Sequence, residues 1–243
     1  MSAYIQALWA AALSCESQSE VSKPLYSDGG SGVIFNLKGE LKIGDQVLPE
    51  GVILLPVSSK AEQITLQPGA KLAGVRFLPA IGFGILGSRY EQPELLHQSD
   101  KDLFKLRELF QQLKLVQSDA HIIDCLHTWV SSQLDFTNVI PNSLEQALKH
   151  VETAGALANI SDVSQLSQRQ TERLFKQWLG ITAKHYQRIV RVKRAIAYIK
   201  AHKQSHLAQV AQEFGFSDQA HMTREFRAIA SVTPNRIIHR KGG

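Results

Sequence analysis

Cysteine is scarce in this chain of 243 residues, which contains two, Cys15 and Cys125. Two cysteines so far apart in sequence cannot form a disulfide framework, so we expect a reducing compartment, the cytoplasm. No histidine precedes His97. A histidine-rich metal site is therefore excluded from the first part of the chain, and we expect no metal and no other cofactor.

Long hydrophobic runs are also missing. No stretch is long enough to span a bilayer, so we expect no membrane partner. Residues 3–13 are apolar and precede Ser14 and Cys15, an order typical of a lipoprotein signal. No basic residue stands before this run, and it contains Tyr4 and Gln6, so we expect no such signal.

Negative charge is scarce in the second part of the chain. From Asn142 onward, 16 Lys and Arg face 7 Asp and Glu, a net charge of +9, whereas residues 1–141 hold 11 against 15, a net charge of −4. A basic part beside an acidic part indicates a polyanion partner for one part of the molecule only. Nucleic acid fits better than a membrane surface, because aromatic residues that we expect to be buried alternate with the basic ones.

The basic part contains one pattern twice. Arg173 and Phe175 recur as Arg224 and Phe226, and Thr182 recurs as Thr233, each at an offset of 51 residues. A fixed-period match of this kind indicates one supersecondary unit used twice. A short helical pattern precedes each copy, so each copy is predicted to be helix, tight turn, helix.

The residues around each turn support this prediction. Ser167 and Ser217 are predicted to cap the helix that follows, and Gly215 permits a positive φ before the second turn. The helical period places apolar residues on one face of each second helix and basic residues on the other. The predicted buried positions are Thr171, Phe175 and Trp178 in the first copy and Met222, Phe226 and Ile229 in the second. This pattern is typical of a helix-turn-helix unit.

Residues 188–200 join the two units and contain neither glycine nor proline. A helix over these 13 positions spans roughly 20 Å. Successive major-groove openings on one face of DNA lie about 34 Å apart. A rigid helix of this kind can hold both units on the same face of a duplex.

The motifs resemble those of AraC/XylS-type transcriptional regulators. The resemblance covers residues 142–238; it is carried by residues 214–234 in the second unit, and by residues 166–180 with the basic linker helix in the first. Residues 160–165, before the first turn, are more polar than the family pattern. The resemblance implies a bacterial regulator that binds specific double-stranded DNA, has RNA polymerase as its further partner and controls initiation.

The resemblance also implies which residues contact DNA. The base-contacting set is Arg169, Glu172, Arg173, Gln219, Ala220, His221 and Arg224. The phosphate-contacting set is Ser167, Lys176, Lys184, Arg188, Arg191, Arg227 and Arg236. Arginine pairs with guanine and glutamine with adenine, whereas phosphate contacts position the protein without specifying a sequence.

The first part of the chain is predicted to be rich in β-structure. Short strands separated by Gly, Pro, Asp and Ser are expected over residues 33–37, 41–43, 51–57, 63–66 and 71–77. We therefore expect an α+β protein of two domains, the first a small cupin-like β-barrel or sandwich. Residues 74–79 are similar to a sensor subtype of the family, which implies a small-molecule effector in this domain.

Residues 100–136 are predicted to be helical. Their apolar stripes fit either packing against the β-structure, which we favour, or a homodimer interface. His121, Asp124 and His127 form the remaining candidate metal set, but His121 and His127 lie about 120° apart on a helix, so we interpret them as surface residues. The expected domains are residues 1–136 and 143–243, with a linker over 137–142.

Two other functions are compatible with a helix-turn-helix module. One is a DNA-repair methyltransferase, since such enzymes share this helical module. Resemblance to them implies a four-cysteine zinc site and a reactive cysteine, which the two cysteines of this chain cannot supply. We therefore expect no enzyme. The alternative that stays open is a ligand-independent DNA-binding adaptor whose first domain recruits a protein partner.

Overall fold

The computed structural model describes residues 4–97, 103–154 and 160–239. The chain divides into two compact units. The first consists of the described residues of Met1–Lys23, Gly30–Val57 and Gln63–Ile140, and the second of those of Pro24–Gly29, Ser58–Glu62 and Pro141–Gly243. The break after Ile140 falls inside the predicted linker, and two short loops from the sequence of the first domain join the second unit.

One antiparallel sheet has five strands. They are β1 Ile5–Ala12, β3 Gly32–Lys38, β6 Gly51–Leu55, β8 Lys71–Phe77 and β9 Glu94–Leu95. Their spatial order is β1-β8-β3-β6-β9. The central strand β3 is buried from Gly32 to Leu37, with both of its faces covered.

The other sheet has four strands. They are β2 Val21–Leu25, β4 Leu41–Ile43, β5 Gln46–Leu48 and β7 Glu62–Leu66, in the order β2-β7-β4-β5. Over the described residues, each sheet keeps two open edges. Of the two predicted alternatives, the sandwich of sheets is therefore confirmed and the closed barrel is wrong, because no strand joins β1 to β9 or β2 to β5.

Three helices belong to the first unit: α1 Ile81–Leu86, α2 Leu106–Leu115 and α3 Asp119–Gln133. Phe35 and Val75 of the larger sheet share one core with Leu113 of α2 and Leu126 of α3. Packing against the sheet is thus the confirmed interpretation of these apolar stripes. Indole Nε1 of Trp129 donates to the backbone oxygen of Phe104 at 2.7 Å.

The proposed surface interpretation of the His121 set also holds. His121, Asp124 and His127 are exposed on α3. Among the described residues, no group of three His, Cys, Asp or Glu side chains is arranged to hold a metal ion. The described helices include none that is long and apolar enough to cross a membrane.

The second unit is helical. Its helices are α4 Asn142–Ala154, α5 Ile160–Ser164, α6 Gln168–Leu179, α7 Ala183–Ala201, α8 Leu207–Glu213, α9 Gln219–Ala230 and α10 Pro234–Ile238. The predicted α+β class with two helix-turn-helix units and a linker helix is confirmed. Residues 160–164, where the sequence departs from the family pattern, form α5, and residues 155–159 lie outside the described part of the chain.

Two loops pack within this second unit against the end of α9. The backbone N–H groups of Ser27 and Ala61 donate to the carbonyls of Ile229 at 3.0 Å and Ala228 at 3.2 Å. The Ser27 hydroxyl joins the loops by donating to the Ser58 carbonyl at 2.6 Å. The last carbonyls of a helix have no partner within the helix, so these loops satisfy two of them.

Candidate nucleic-acid interface

The first helix-turn-helix unit consists of α5, a turn and α6. Ser167 is the N-cap of α6, as predicted: its hydroxyl accepts from the Gln170 N–H at 3.3 Å, and the Gln170 side-chain oxygen accepts from the Ser167 N–H at 2.8 Å. This reciprocal capping box satisfies two backbone donors. At the other end, Gly180 takes a left-handed conformation with φ 76°, which ends the helix.

The second unit consists of α8, a turn at Gly215 with φ +70°, and α9. The prediction that Ser217 caps this helix is wrong by one residue. Asp218 is the N-cap, because its carboxylate accepts from the His221 N–H at 2.7 Å. A carboxylate also interacts more favourably than a hydroxyl with the positive end of the helix dipole. The hydrogen bond from His221 lowers the pKa of Asp218 below its ordinary value.

Both α6 and α9 bury aromatic residues and expose the basic residues predicted to contact bases. Phe175 and Phe226 are fully buried. Arg173 and Arg224, at equivalent positions, are exposed. Arg169, Gln219 and Ala220 are exposed as well.

Two members of the predicted base-contacting set are partly engaged inside the unit. Oε2 of Glu172 accepts from the backbone N–H of Ala183, the first residue of α7, at 3.2 Å. Nδ1 of His221 accepts from the Ser217 N–H at 3.1 Å. Both residues are half-buried.

The predicted phosphate-contacting residues fall into two groups. The exposed ones are Ser167, Lys176, Lys184, Arg227 and Arg236. Arg188 and Arg191 are half-buried on α7. The Arg191 guanidinium lies 5.6 Å from the ring centroid of Phe216, and Arg188 pairs with Glu225.

The linker helix α7 is longer than predicted and serves both units. Its 19 residues span about 28 Å. The buried residues of its first part are Ala183, Tyr186, Ile189 and Val190, and those of its second part are Val192, Ala195 and Ile199. At 100° per residue, these two stripes lie roughly 160° apart. The helix therefore packs on α4 and α6 with one side and on α9 and α10 with the other.

Tyr186 anchors the first half of this linker helix. Its ring packs against Phe175 at a centroid distance of 5.7 Å, and its hydroxyl donates to the Glu152 carboxylate of α4 at 2.8 Å. Burial, followed by the neighbouring Glu152 charge, raises the pKa of Tyr186 well above its ordinary value. The tyrosine thus stays neutral and joins three helices.

Three residues of this region were not predicted from the sequence. His185 carried no pattern that separates it from ordinary polar residues, and Asp218 stood beside Ser217, an equally good N-cap candidate. Glu225 did carry a signal, because it stands three residues after Met222, beside the predicted buried stripe, where a charged residue needs a partner.

Comparisons with known proteins agree with this geometry. Residues 160–240 match a family model described as a helix-turn-helix domain. A probable transcriptional regulator, LumQ of Photobacterium leiognathi, is 32% identical over 140 residues. The match spans 54% of this chain and 54% of the relative's length.

Solved structures of ToxT from Vibrio cholerae have a similar fold. A structure at 1.65 Å resolution covers 99% of this chain and 100% of its own, with a TM-score of 0.53 and 14% identity. ToxT bound to (E)-4-(8-methylnaphthalen-1-yl)but-3-enoic acid covers 97% and 98%, with a TM-score of 0.53 and 13% identity. At such identities the likeness shows the fold alone, which has two domains. Residues 160–240 therefore form a helix-turn-helix domain, in agreement with the motifs by which the sequence resembles AraC/XylS-type proteins.

Proposed function

We propose that this protein controls transcription by binding a specific sequence of double-stranded DNA with both helix-turn-helix units. One observation carries the proposal. Arg173 and Arg224 are exposed at equivalent positions on two capped helices, and in each helix the neighbouring phenylalanine is fully buried. A solvated basic face alone does not require this repeated arrangement.

The exposed residues of α6 and α9 offer different base chemistry. Arg169 and Arg173 of α6 are suited to guanine O6 and N7. On α9, Arg224 is accompanied by Gln219, which is suited to adenine, and by Ala220, which can contact a thymine methyl group. We therefore propose that the two units bind different sequences and that one chain binds an asymmetric site.

Glu172 and His221 belong at the border of this surface. Each uses one polar atom for a backbone N–H of its own domain, so each has less freedom to reach a base edge. We propose that both contribute mainly through the helix ends that they stabilise.

The basic residues around α6 and α9 supply affinity for DNA without sequence preference. Lys184, Arg227 and Arg236 are exposed and carry full positive charge toward solvent. Lys176 donates to the Gly180 carbonyl of its own helix at 2.9 Å and keeps its side chain exposed. We propose phosphate contacts for these residues and for Ser167 at the N-terminus of α6.

Selection of bound duplexes from a random DNA library tests this function. We expect the full chain to enrich a motif with two distinct parts. Retention of all sequences alike, falling steeply with salt, would leave only a charge interaction and contradict the proposal.

We further propose that a small molecule bound to the first unit controls DNA binding. Two ToxT structures of this fold hold a naphthyl butenoic acid and an unsaturated fatty acid, both apolar carboxylic acids. That class is the first to test here. The full chain should show a rise in unfolding temperature with such an acid and none with its methyl ester.

The alternative is an adaptor that needs no ligand and recruits a protein through its first domain. Absence of stabilisation by apolar carboxylic acids, together with unchanged DNA binding, would favour it. In either case we propose RNA polymerase as the further partner. We also propose that the full chain forms a homodimer, which analytical ultracentrifugation tests.

A further inference from the structure

Glu225 marks a chemical difference between the two repeated units. At the offset of 51 residues, it corresponds to Leu174 of α6. Each of the two follows an exposed arginine and precedes a fully buried phenylalanine. Yet Glu225 is 8% exposed, and a carboxylate in such a place costs free energy unless it is paired.

Arg188 of the linker helix supplies the partner. Its Nε donates to Oε2 of Glu225 at 2.8 Å, and a terminal nitrogen donates to Oε1 at 2.9 Å. The Arg188 hydrogen bond lowers the pKa of Glu225, although burial opposes it, and raises that of Arg188. The two groups stay charged and form a planar fork that fixes direction as well as distance.

The ion pair joins α9 to α7, two helices that are separated in the chain by α8 and two turns. In the first unit, α6 is followed directly by α7 after three residues, and Glu172 binds the first N–H of α7. We call α6 and α9, the second helices of the two units, the first and second recognition helices. Helix α9 follows α7 in the chain only after α8 and two turns. Helix α9 packs on α7, and a side-chain ion pair adds a directional constraint to that packing.

The fork also has support from a third segment. Nδ1 of His185 lies 3.3 Å from Arg188, and its Nε2 lies 2.7 Å from the Ser59 carbonyl. A neutral imidazole with its proton on Nε2 donates to Ser59 and accepts from Arg188. On the side of α9, Nε2 of His221 lies 4.0 Å from Glu225. One histidine thus lies beside each member of the ion pair, His185 beside Arg188 and His221 beside Glu225.

We propose that Arg188 and Glu225 are a positioning pair that fixes the second recognition helix on the linker helix. The pair thereby sets the spacing of the two DNA segments that the protein selects. This inference rests on the proposed function, because spacing matters only to a protein that binds specific DNA. Arg224 directly precedes Glu225, so the ion pair of Glu225 also fixes the backbone position from which the Arg224 side chain extends.

The test changes the spacing inside the duplex selected by the wild type. One added or removed base pair shifts the two parts by about 3.4 Å and about 34°. The wild type should lose about tenfold in affinity for such a duplex, a loss comparable to that from one mismatched pair. A protein without a fixed spacing would lose much less.

The main variant is Arg188→Met with Glu225→Leu, which gives position 225 the residue of the first unit. Apolar replacement of a buried ion pair usually preserves the fold. We expect its spacing penalty to fall to about threefold or less. Glu225→Gln keeps the size of the side chain and removes its charge, so it should also lower the spacing penalty. This variant replaces the double variant if the latter does not unfold cooperatively.

The matched control is Arg194→Met with Glu213→Gln. Both residues are exposed on α7 and α8, so the control removes the same charges without touching the fork. It should keep the tenfold penalty. An unchanged penalty in Glu225→Gln and in the double variant would overturn the positioning pair. Failure of the wild type to enrich any site would instead overturn the proposed function, and this inference with it.

Discussion

Oε2 of Glu172, on the first recognition helix, accepts a hydrogen bond from the backbone N–H of Ala183 at 3.2 Å. Ala183 is the first residue of α7, and Thr182, the residue before it, caps α7 by accepting from the His185 N–H at 3.0 Å. Two side chains therefore satisfy the first N–H groups of α7. A residue that the family resemblance assigns to base contact also stabilises the start of the linker helix.

Replacing Glu172 separates these two functions. Glu172→Ala removes an acceptor and a negative charge from the N-terminus of α7, and we expect a loss of about 0.5–1 kcal/mol in the free energy of unfolding. Urea unfolding followed by circular dichroism measures it. Glu172→Gln keeps an acceptor oxygen and should lose less. Unchanged stability with relaxed selectivity at one base pair would instead support a direct base contact.

Arg224 and Lys184 should respond differently to truncation. Arg224→Ala removes a proposed bidentate contact, so we expect a loss of about 1–3 kcal/mol on the selected duplex and little loss on random duplex. Lys184→Ala removes a proposed phosphate contact and should weaken both duplexes equally. Fluorescence anisotropy with the two duplexes at several salt concentrations measures this. Equal losses for Arg224→Ala on both duplexes would remove it from the base-contacting set.

The two serines before the recognition helices differ in their contribution to stability. Ser167 is an N-cap, so Ser167→Ala should lower the free energy of unfolding by about 1 kcal/mol. Ser217 is exposed and precedes the true cap, Asp218, so Ser217→Ala should change stability by about 0.5 kcal/mol at most. Thermal and urea unfolding of both variants provide the comparison. Equal losses would mean that Ser217 takes part in the cap.

Stability should decrease on acidification through His185. Burial is the main cause that lowers the pKa of its imidazole, and the nearby Arg188 charge acts in the same direction. The unfolded chain therefore binds this proton more readily, so stability present above about pH 6.5 is lost as the pH falls toward the lowered value. Glu225, whose pKa is lowered, loses its contribution only below its ordinary range, at a more acidic pH.

The control for this prediction is His185→Gln, which keeps hydrogen-bonding atoms and cannot titrate. The difference in unfolding free energy between wild type and variant should shrink from pH 8 to pH 5.5. Other histidines titrate in both proteins and cancel in this difference. A difference that stays constant over this range would contradict the assignment.

The helical domain was largely predictable because its constraints are local. Phe175 and Phe226 follow the helical period, and Gly215 and Ser167 lie where a turn and a cap require them. Strands β4 and β8 also match their predicted bounds, because turn residues flank them. Strand β1 was missed, since its sequence is nearly continuous in apolar residues and lacks the alternation that indicates an edge strand.

Contacts between distant positions were not predictable. Arg188 and Glu225 are 37 positions apart, and Ser27 meets Ile229 across most of the chain. No period or spacing in one sequence reports such pairs. The cap at Asp218 was missed for a different reason: serine and aspartate are both good N-caps, and adjacent candidates leave the choice to the backbone.

We propose that each recognition helix binds its own part of an asymmetric site. The direct measurement is a base-by-base substitution scan of the selected duplex, with the affinities of wild type, Arg173→Ala and Arg224→Ala determined for every substitution. We expect Arg173→Ala to lose sensitivity to substitutions in one part of the site and Arg224→Ala in the other, with the two parts about one helical turn apart. Loss of sensitivity at the same base pairs in both variants, or at none in either, would contradict it.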